Sequence, residues 1–563
     1  MVKRFFAVLG GEIRGLHEAA YLLAIFAIAS QILALVRDKI LAFTFGAGHT
    51  LDIYYAAFRI PDLIYVTIAS TVSASVLIPF LIDYFDKSEE RGKTLIDSVF
   101  TVFFAAMIVV SIIAYVLAPW LVRTLLPGFA HDVDFNQLVT AMRIMLFSPF
   151  FLGLSNFFSS VTQMNRRFLI YSLSPILYNI GIIFGTVVFY RYLGLAGLIW
   201  GVALGACLHM AVQIPFIIRT NAFPHFVFHI DWPSIKRVVF LSLPRTLTLS
   251  ANQLASFFLI ALASLMAGGS ISIFNFANNL QSVPLTIIGV SYSSAAFPTL
   301  SKLFSSGKRE EFLMEMAISA RHIIFWSLPV TALFIVLRAN IVRVILGAGA
   351  FDWNDTRLTA AALALFIISM AGQGLILLYV RAYYSQGLTR KPLLVNIFSA
   401  VLIAGLGYFL DKAYYAWPMF QYFIQSLLKV SDQAGVGVLM LPLAFSIGAI
   451  VNTFLHWYIF NRDFPGFGKR LGDVFFQSLS SAVIGGYATY LGLRFFTLFF
   501  PLTTTFNVFM QGFLAGIFGI VVCIAVFILM KNPEIVEVWR TLHQKIWKTK
   551  VVVPGPEDSV LPS

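Results

Sequence analysis

Apolar runs long enough to cross a bilayer recur along this chain, and no other feature narrows its fold as much. A span needs about 20 consecutive apolar residues. About fourteen candidates begin near Ala19, Leu63, Val99, Leu138, Phe168, Leu195, Val238, Ile271, Ile318, Leu358, Pro392, Ala434, Val474 and Leu502. In lipid the backbone must satisfy its own hydrogen bonds, so each run folds as a helix. Only 12% of the residues are charged, against about 25% in soluble domains. The expected fold is therefore an all-α polytopic membrane protein.

The loops alternate in charge. One set is basic: Lys87, Arg91 and Lys93; Arg166 and Arg167; Arg219, Lys236 and Arg237; Lys302, Lys308 and Arg309; Arg390 and Lys391; Arg462, Lys469 and Arg470. The opposite set is poor in Lys and Arg and rich in turn residues, as at Gly46–Gly48, Pro127-Gly128, Gly268-Gly269 and Gly347–Gly349. The positive-inside rule then places the basic loops and both termini in the cytoplasm. The same sorting explains the net charge of +13 without nucleic acid as a partner. Cys207 and Cys523 lie inside apolar runs, so neither a disulfide nor a thiolate metal site is expected.

Internal similarity divides the chain. SVLIPFLIDYFDKSEER from Ser75 resembles SAAFPTLSKLFSSGKRE from Ser294, and LLPGF ending at Phe129 resembles LGAGAF ending at Phe351. The expected organisation is an interfacial segment (1–18), a six-helix lobe (19–220), a cytoplasmic linker (221–236) and a second lobe core (237–412). A periplasmic loop and span twelve (413–460) complete that lobe. Two further spans (461–530) and a basic amphipathic tail (531–563) follow. Repeated halves around a central site are the architecture of alternating-access transporters.

Charge inside the spans points to the cargo. No Asp or Glu occurs between Asp134 and Asp231, Asp231 and Glu310, Asp355 and Asp411, or Asp473 and Glu534. The spans are accordingly expected to lack a carboxylate relay, which disfavours a cation or drug antiporter. Arginines do enter them: Arg37, Arg59, Arg143, Arg245, Arg321, Arg338 and Arg381. Arginine in an apolar run marks a binding site by default, or else snorkels to the headgroups. Both readings stand for Arg37, Arg59, Arg245 and Arg381, and snorkelling is the expectation for the other three. Guanidinium groups favour an anion, phosphate above all. Asn275, Asn278, Asn279 and Gln281 form an amide cluster that could line a wet cavity. No phosphate-cradling loop, metalloprotease motif or nucleophile elbow is found, so neither an enzyme nor a cofactor or metal site is expected.

The stretch VRDKILAFTFGAGHTLDIYYAAFRIPDL resembles the first-hairpin motif of the MurJ/MviN lipid II flippases, in the MOP transporter superfamily. Similarity continues through APWLVRTLLPGFA from Ala118, QMNRRFLIYSLSPILYNI from Gln163, SLPRTLTLSANQLASFFLIALASLMAGGSIS, and YYSQGLTRKP from Tyr383. The resemblance implies two lobes around a cationic cavity and export of a polyprenyl-pyrophosphate-linked peptidoglycan precursor. It implies a monomer among the lipids of the bacterial cytoplasmic membrane, with cell-wall synthesis machinery as neighbour. Arg37 falls on an essential cavity arginine of the family, and Asp52, Arg59 and Pro61 match its pattern. Three other family arginines are replaced, by Gln31, Tyr65 and Asn279, and an adjacent acidic position is Asn278. The family's sodium-site acids have no match in span seven. The expected substrate site is Arg37, Arg59, Arg245, Arg381, Gln31, Tyr65, Asn278 and Asn279, with Arg245 compensating for the lost arginines. Rival readings are a flippase for another lipid-linked glycan, a MATE-like exporter and a non-transporting scaffold.

Overall fold

The computed structural model describes residues 16–68, 74–165, 168–219 and 223–547. The expected interfacial segment (nearly all of it), Arg166, Arg167, Ser70, Thr71, Ser73 and the last part of the tail lie outside the described residues, as do the side chains of Arg245 and Asn252. Every regular element among the described residues is helical.

The chain opens with α1 (Leu16–Phe45), then α2 (His49–Ala57), α3 (Arg59–Ile68), α4 (Ala74–Lys87) and the 37-residue α5 (Glu89–Leu125). Next come α6 (Phe135–Met145), α7 (Phe147–Met164), α8 (Phe168–Phe184), α9 (Leu195–Ala211) and α10 (Trp232–Ser264). α11 (Ser270–Leu285) and α12 (Ser291–Ser305) flank a π-helical turn at Thr286–Val290 and lead into a second 37-residue helix, α13 (Arg309–Ile345). The remainder is α14 (Trp353–Ile367), α15 (Met370–Ser385), α16 (Arg390–Ala416), α17 (Pro418–Leu428), α18 (Met440–Asp463), α19 (Gly472–Thr497), α20 (Thr505–Leu529) and α21 (Pro533–Trp547). The internal repeat is visible in this order. α4 precedes α5 as α12 precedes α13, and each long helix starts on two glutamates and carries an internal proline, Pro119 or Pro329.

Nine helical stretches among the described residues are long and apolar enough to span a membrane, or ten if α14 and α15, bent by 44°, form one span. Fourteen were expected. The regions outside this set are α1, α2–α4, α10 and α19. Three of them hold Arg37 and Asp38, Arg59 and Asp62, and Gln253 and Ser256, the residues that make a wet interior. α1, α2–α4 and α10 each contain or adjoin residues outside the described set, so the count is one of the described residues alone.

Packing follows membrane rules. α20 turns Phe506, Phe513, Val521 and Ile528 outward and buries Gly512, Ala515, Gly516 and Gly519. Without water to drive association, close backbone contact between small residues does so. α8 and α9 cross on Gly181 and Gly185 against Gly201 and Gly205; a Cβ on Gly181 would stand 2.2 Å from the Gly205 Cα. α1 packs on α8, α7 on α9, and α4 on α5 and α7; farther along, α11 packs on α14, α12 on α15, and α16 on α18. α10 and α11 bridge the two sets, touching α3–α5 and α1–α2. α19 and α20 pair and lean on α13.

Arg321, expected at the headgroups, instead donates its Nε to Glu534 of α21 at 2.6 Å, tying down the start of the basic tail. Arg143 stacks on the Tyr115 ring at 4.6 Å, and Arg338 donates to the Ile335 carbonyl one turn back. Two histidines pack within the helices: His209 meets Ser155 Oγ at 2.7 Å, and His456 lies on the Tyr379 ring.

Candidate functional site

α2 and α3 are one helix interrupted at Phe58. Pro61 lacks the N–H that would bond the Ala57 carbonyl, so the ladder breaks there. Interrupted helices at the middle of transporter repeats carry binding sites. Here the break places Tyr54, Tyr55 and Phe58 on one side of a turn and Arg59 and Asp62 on the other.

These side chains line a cavity of about 350 Å³. Arg37 and Leu41 of α1, Tyr178 and Ile182 of α8, Gln253 and Ser256 of α10, and Asn275, Asn278 and Asn279 of α11 complete it. Arg37 donates Nε (3.0 Å) and Nη2 (2.8 Å) to Asp38 Oδ1, and Nη1 to Asn179 Oδ1 (2.9 Å). The other Asp38 oxygen accepts from Asn279 Nδ2 at 3.0 Å. Arg59, only 8% exposed, donates Nη2 to Asn275 Oδ1.

One end is closed by a clasp made of the turns poor in Lys and Arg. Buried Asp52 accepts from Gly269 N (2.6 Å), Ser272 N (2.8 Å) and Ser272 Oγ (2.6 Å). It therefore caps α11 from another helix, where the free N–H groups and dipole favour a carboxylate. Gly269 sits at φ +90°, and a Cβ there would lie 2.0 Å from the Ala47 carbonyl oxygen. Ala47 N donates to Asp355 at 2.9 Å, Ala350 N to the Phe43 carbonyl at 2.9 Å, and Lys39 Nζ to the Val344 carbonyl at 2.9 Å. His49, Asp132 and Asp134 stand at the same end with ligand-type atoms within 4.8 Å of one another, but none of them lines the cavity.

Of the residues expected from sequence, Arg37, Arg59, Asn278 and Asn279 meet in the cavity. Gln31 and Tyr65 stand outside its lining, because each is six residues from its arginine and so about 120° around the helix. Tyr65 accepts instead from Asn156 Nδ2 at 2.9 Å. Arg381 is also outside it, donating to Ser293 Oγ at 2.8 Å and to Ser294 Oγ and the Val290 carbonyl beside the π-helical turn. The Arg245 side chain lies outside the described residues.

The expectation of carboxylate-free spans is corrected. Asp38 and Asp52 are buried and Asp62 lines the cavity. The acid-free stretches all begin at or beyond Asp134, and the first hairpin, which precedes them, carries Asp38, Asp52 and Asp62. The sequence reading also passed over Tyr54, Tyr55, Tyr178 and Ser256. The signal for Asp62 was its place in RIPD, one turn from Arg59 and on the same face.

A sequence profile described as "Lipid II flippase MurJ" matches residues 41–510. The lipid II flippase MurJ of Burkholderia cenocepacia is 27% identical over 392 residues, covering 66% of this chain and 74% of its own. The probable lipid II flippase MurJ of Thermotoga maritima is 25% identical over 461 residues, covering 81% and 86%. A solved structure of lipid II flippase MurJ in an inward closed conformation superposes with TM-score 0.70 at 22% identity, over 93% of this chain and 99% of that one. An inward-facing multidrug MATE transporter of the MOP superfamily gives TM-score 0.64 at 14% identity, over 78% and 96%. The superpositions establish the fold, and the profile match over most of the length settles the family: this chain belongs to the MurJ lipid II flippases.

Proposed function

We propose that this protein moves lipid II, the polyprenyl-pyrophosphate-linked peptidoglycan precursor, from the inner to the outer leaflet of the bacterial cytoplasmic membrane. The observation that carries the reading is the guanidinium-bearing cavity at the helix break, sealed at one end by the Asp52 clasp. The diphosphate of the cargo docks in this cavity, which Arg37, Arg59 and the α11 amides line. Arg245 and Arg381 belong to the site as it widens. The polyprenyl tail remains in lipid.

Both termini and the basic loops face the cytoplasm, so the clasp is the outer gate. A cavity of about 350 Å³ is near the lower limit for a drug-sized ligand. It does not hold a disaccharide-peptide head, so the described state is closed. Two lobes, residues 19–220 and 237–460, rock about the cavity, with 461–530 as an added pair of helices. Opening outward breaks the bonds of Asp52 to α11 and of Ala350 to α1. Membrane potential contributes about 2.3 kcal/mol per charge per 100 mV, which favours an anion leaving a negative interior.

The test is reconstitution of the full chain in proteoliposomes with a fluorescent lipid II, read by loss of inner-leaflet signal. Movement of lipid II that is lost in Arg59→Gln supports the proposal. Failure of the wild-type chain both to move it and to sustain growth of cells depleted of their own lipid II flippase overturns it.

A further inference from the structure

Among the described residues, two arginine–aspartate pairs stand at the cavity, Arg37 with Asp38 behind it and Arg59 with Asp62, and the two are engaged differently. All three nitrogen positions of Arg37 are occupied, two by Asp38 and one by Asn179. Asp38 in turn is held by Asn279. Each nitrogen of Arg37 is therefore already used once, although Nη1 and Nη2 each keep a second N–H. In Arg59 only Nη2 has an acceptor among those bonds, and its buried Nε has none. The hydroxyl of Tyr55, another buried lining residue, also lacks a partner. Two buried donors of the cavity lining without acceptors call for an explanation, and an incoming oxyanion supplies one.

Asp62 faces the same space from one helical turn beyond Arg59. No hydrogen-bond donor reaches its carboxylate among the described residues. The other titratable groups around it are Arg37 with Asp38 on α1, Tyr54 and Tyr55 on α2, Arg59 and Tyr65 on α3, and Tyr178 on α8. The cavity-lining residues of α10 and α11 contribute uncharged groups, namely Gln253, Ser256 and the three asparagines. Arg59 is thus the counter-charge of Asp62. A diphosphate that takes the free donors of Arg59 competes for that counter-charge and brings its own negative charge beside the carboxylate. Like charges so close are not both kept.

We infer that Arg59 and Tyr55, rather than Arg37, form the diphosphate seat, and that Asp62 takes up one proton from solvent when the seat fills. The proton adds to a carboxylate oxygen, no other bond changes, and emptying the seat returns it. The inference rests on the flippase reading and deepens it by linking cargo binding to protonation.

The experiment is titration calorimetry on the full chain in detergent, with a short-chain lipid II analogue and, separately, inorganic pyrophosphate. Each is run in two buffers of different ionisation enthalpy so that protons taken up are counted. Wild type takes up about one proton more per lipid II analogue than Asp62→Asn, and its affinity falls as much as about tenfold per pH unit where Asp62→Asn stays flat. Arg59→Gln weakens binding at least tenfold and Arg59→Lys restores part of it, while Arg37→Gln, compared at equal folded fraction, weakens it less. Equal proton uptake in wild type and Asp62→Asn, or unchanged binding in Arg59→Gln, overturns the inference while leaving the flippase reading intact. Wild type that binds pyrophosphate but not the lipid-linked analogue, or neither, removes the flippase reading and the inference with it. Thermal unfolding of each variant separates lost binding from lost fold.

Discussion

Replacing Asp52 by asparagine tests whether the clasp sets the resting conformation. The carboxylate accepts three bonds of 2.6–2.8 Å from the start of α11, and it is 4% exposed. Asparagine keeps one acceptor oxygen and turns an NH2 toward a backbone N–H, so at least one charge-assisted bond is lost and a donor faces a donor. Such a bond contributes about 1.5–3 kcal/mol, and an N-cap about 1 kcal/mol. The open state lacks these bonds, so the whole change, about 2 kcal/mol, falls on the closed state. That shifts the closed-to-open ratio about thirtyfold. Spin labels on Thr44→Cys and Trp353→Cys, with Cys207 and Cys523 replaced by serine, report the separation across the clasp by pulsed electron resonance. The wild-type chain gives one short distance, and Asp52→Asn gives a second, longer one as a substantial population. A single unchanged distance in Asp52→Asn, together with normal lipid II movement, would refute the assignment of Asp52 as the gate.

Other substitutions have separable outcomes. Gly269→Ala forces a side chain onto φ +90° and to within 2.0 Å of the Ala47 carbonyl; it should open the same clasp and lower the melting temperature, whereas alanine at Gly268, where a Cβ meets nothing, should be neutral in the same melt. Arg37→Gln leaves buried Asp38 without its cation, a loss of about 3–5 kcal/mol; adding Asp38→Asn should recover most of the folded yield on size-exclusion chromatography. Outside the spans, Arg357 holds the Asp432 carboxyl down to about 2. A depressed acid stabilises above its unfolded value, about 3.9, and loses that contribution as pH falls through the folded one. The tie should therefore survive at pH 5 and fade between about 4 and 2, followed as the Asp432 carboxyl signal in a labelled sample.

Much of this was legible in the sequence, for identifiable reasons. Apolar runs report on lipid contact, so helices such as α5, α13 and α20 stand out directly. The faces turned to the cavity are marked within such runs by their exceptions, Arg37, Arg59 and the α11 asparagines, and those are the residues that converge. Direction around a helix was not legible. Gln31 and Tyr65 were placed by alignment with the family, yet six residues of α-helix turn them off the face that Arg37 and Arg59 present. Arg381 was read as a site residue from its depth; in this state it stands outside the cavity lining and holds Ser293 and Ser294 beside the π-helical turn. Asp52 matched a pattern, but its role needed the spatial partner Ser272, 220 residues away in sequence.

The pairing of each cavity arginine with a nearby aspartate also bears on how an empty carrier resets. A guanidinium taken out of water without a counter-ion costs several kcal/mol, and two in one closed cavity repel each other besides. Asp38 follows Arg37 directly, and Asp62 follows Arg59 by one turn, so among the described residues the charges of the empty cavity balance, and these pairs can pass between states without dragging uncompensated charge. A diphosphate changes that balance only at Arg59, because the Arg37–Asp38 pair is already bonded on both partners. The loaded and empty forms then differ in charge by the cargo, less whatever proton Asp62 has taken. Membrane potential acts on that difference alone. Asp62→Asn removes one negative charge from the empty carrier and none from the loaded one, in which Asp62 is already protonated, so it should make the reset of the empty carrier the voltage-sensitive step. In proteoliposomes with an imposed potassium diffusion potential, an inside-negative voltage should speed return of empty Asp62→Asn to the inward state more than it does for wild type. Identical voltage dependence of the two proteins would show that Asp62 is not part of the moving charge.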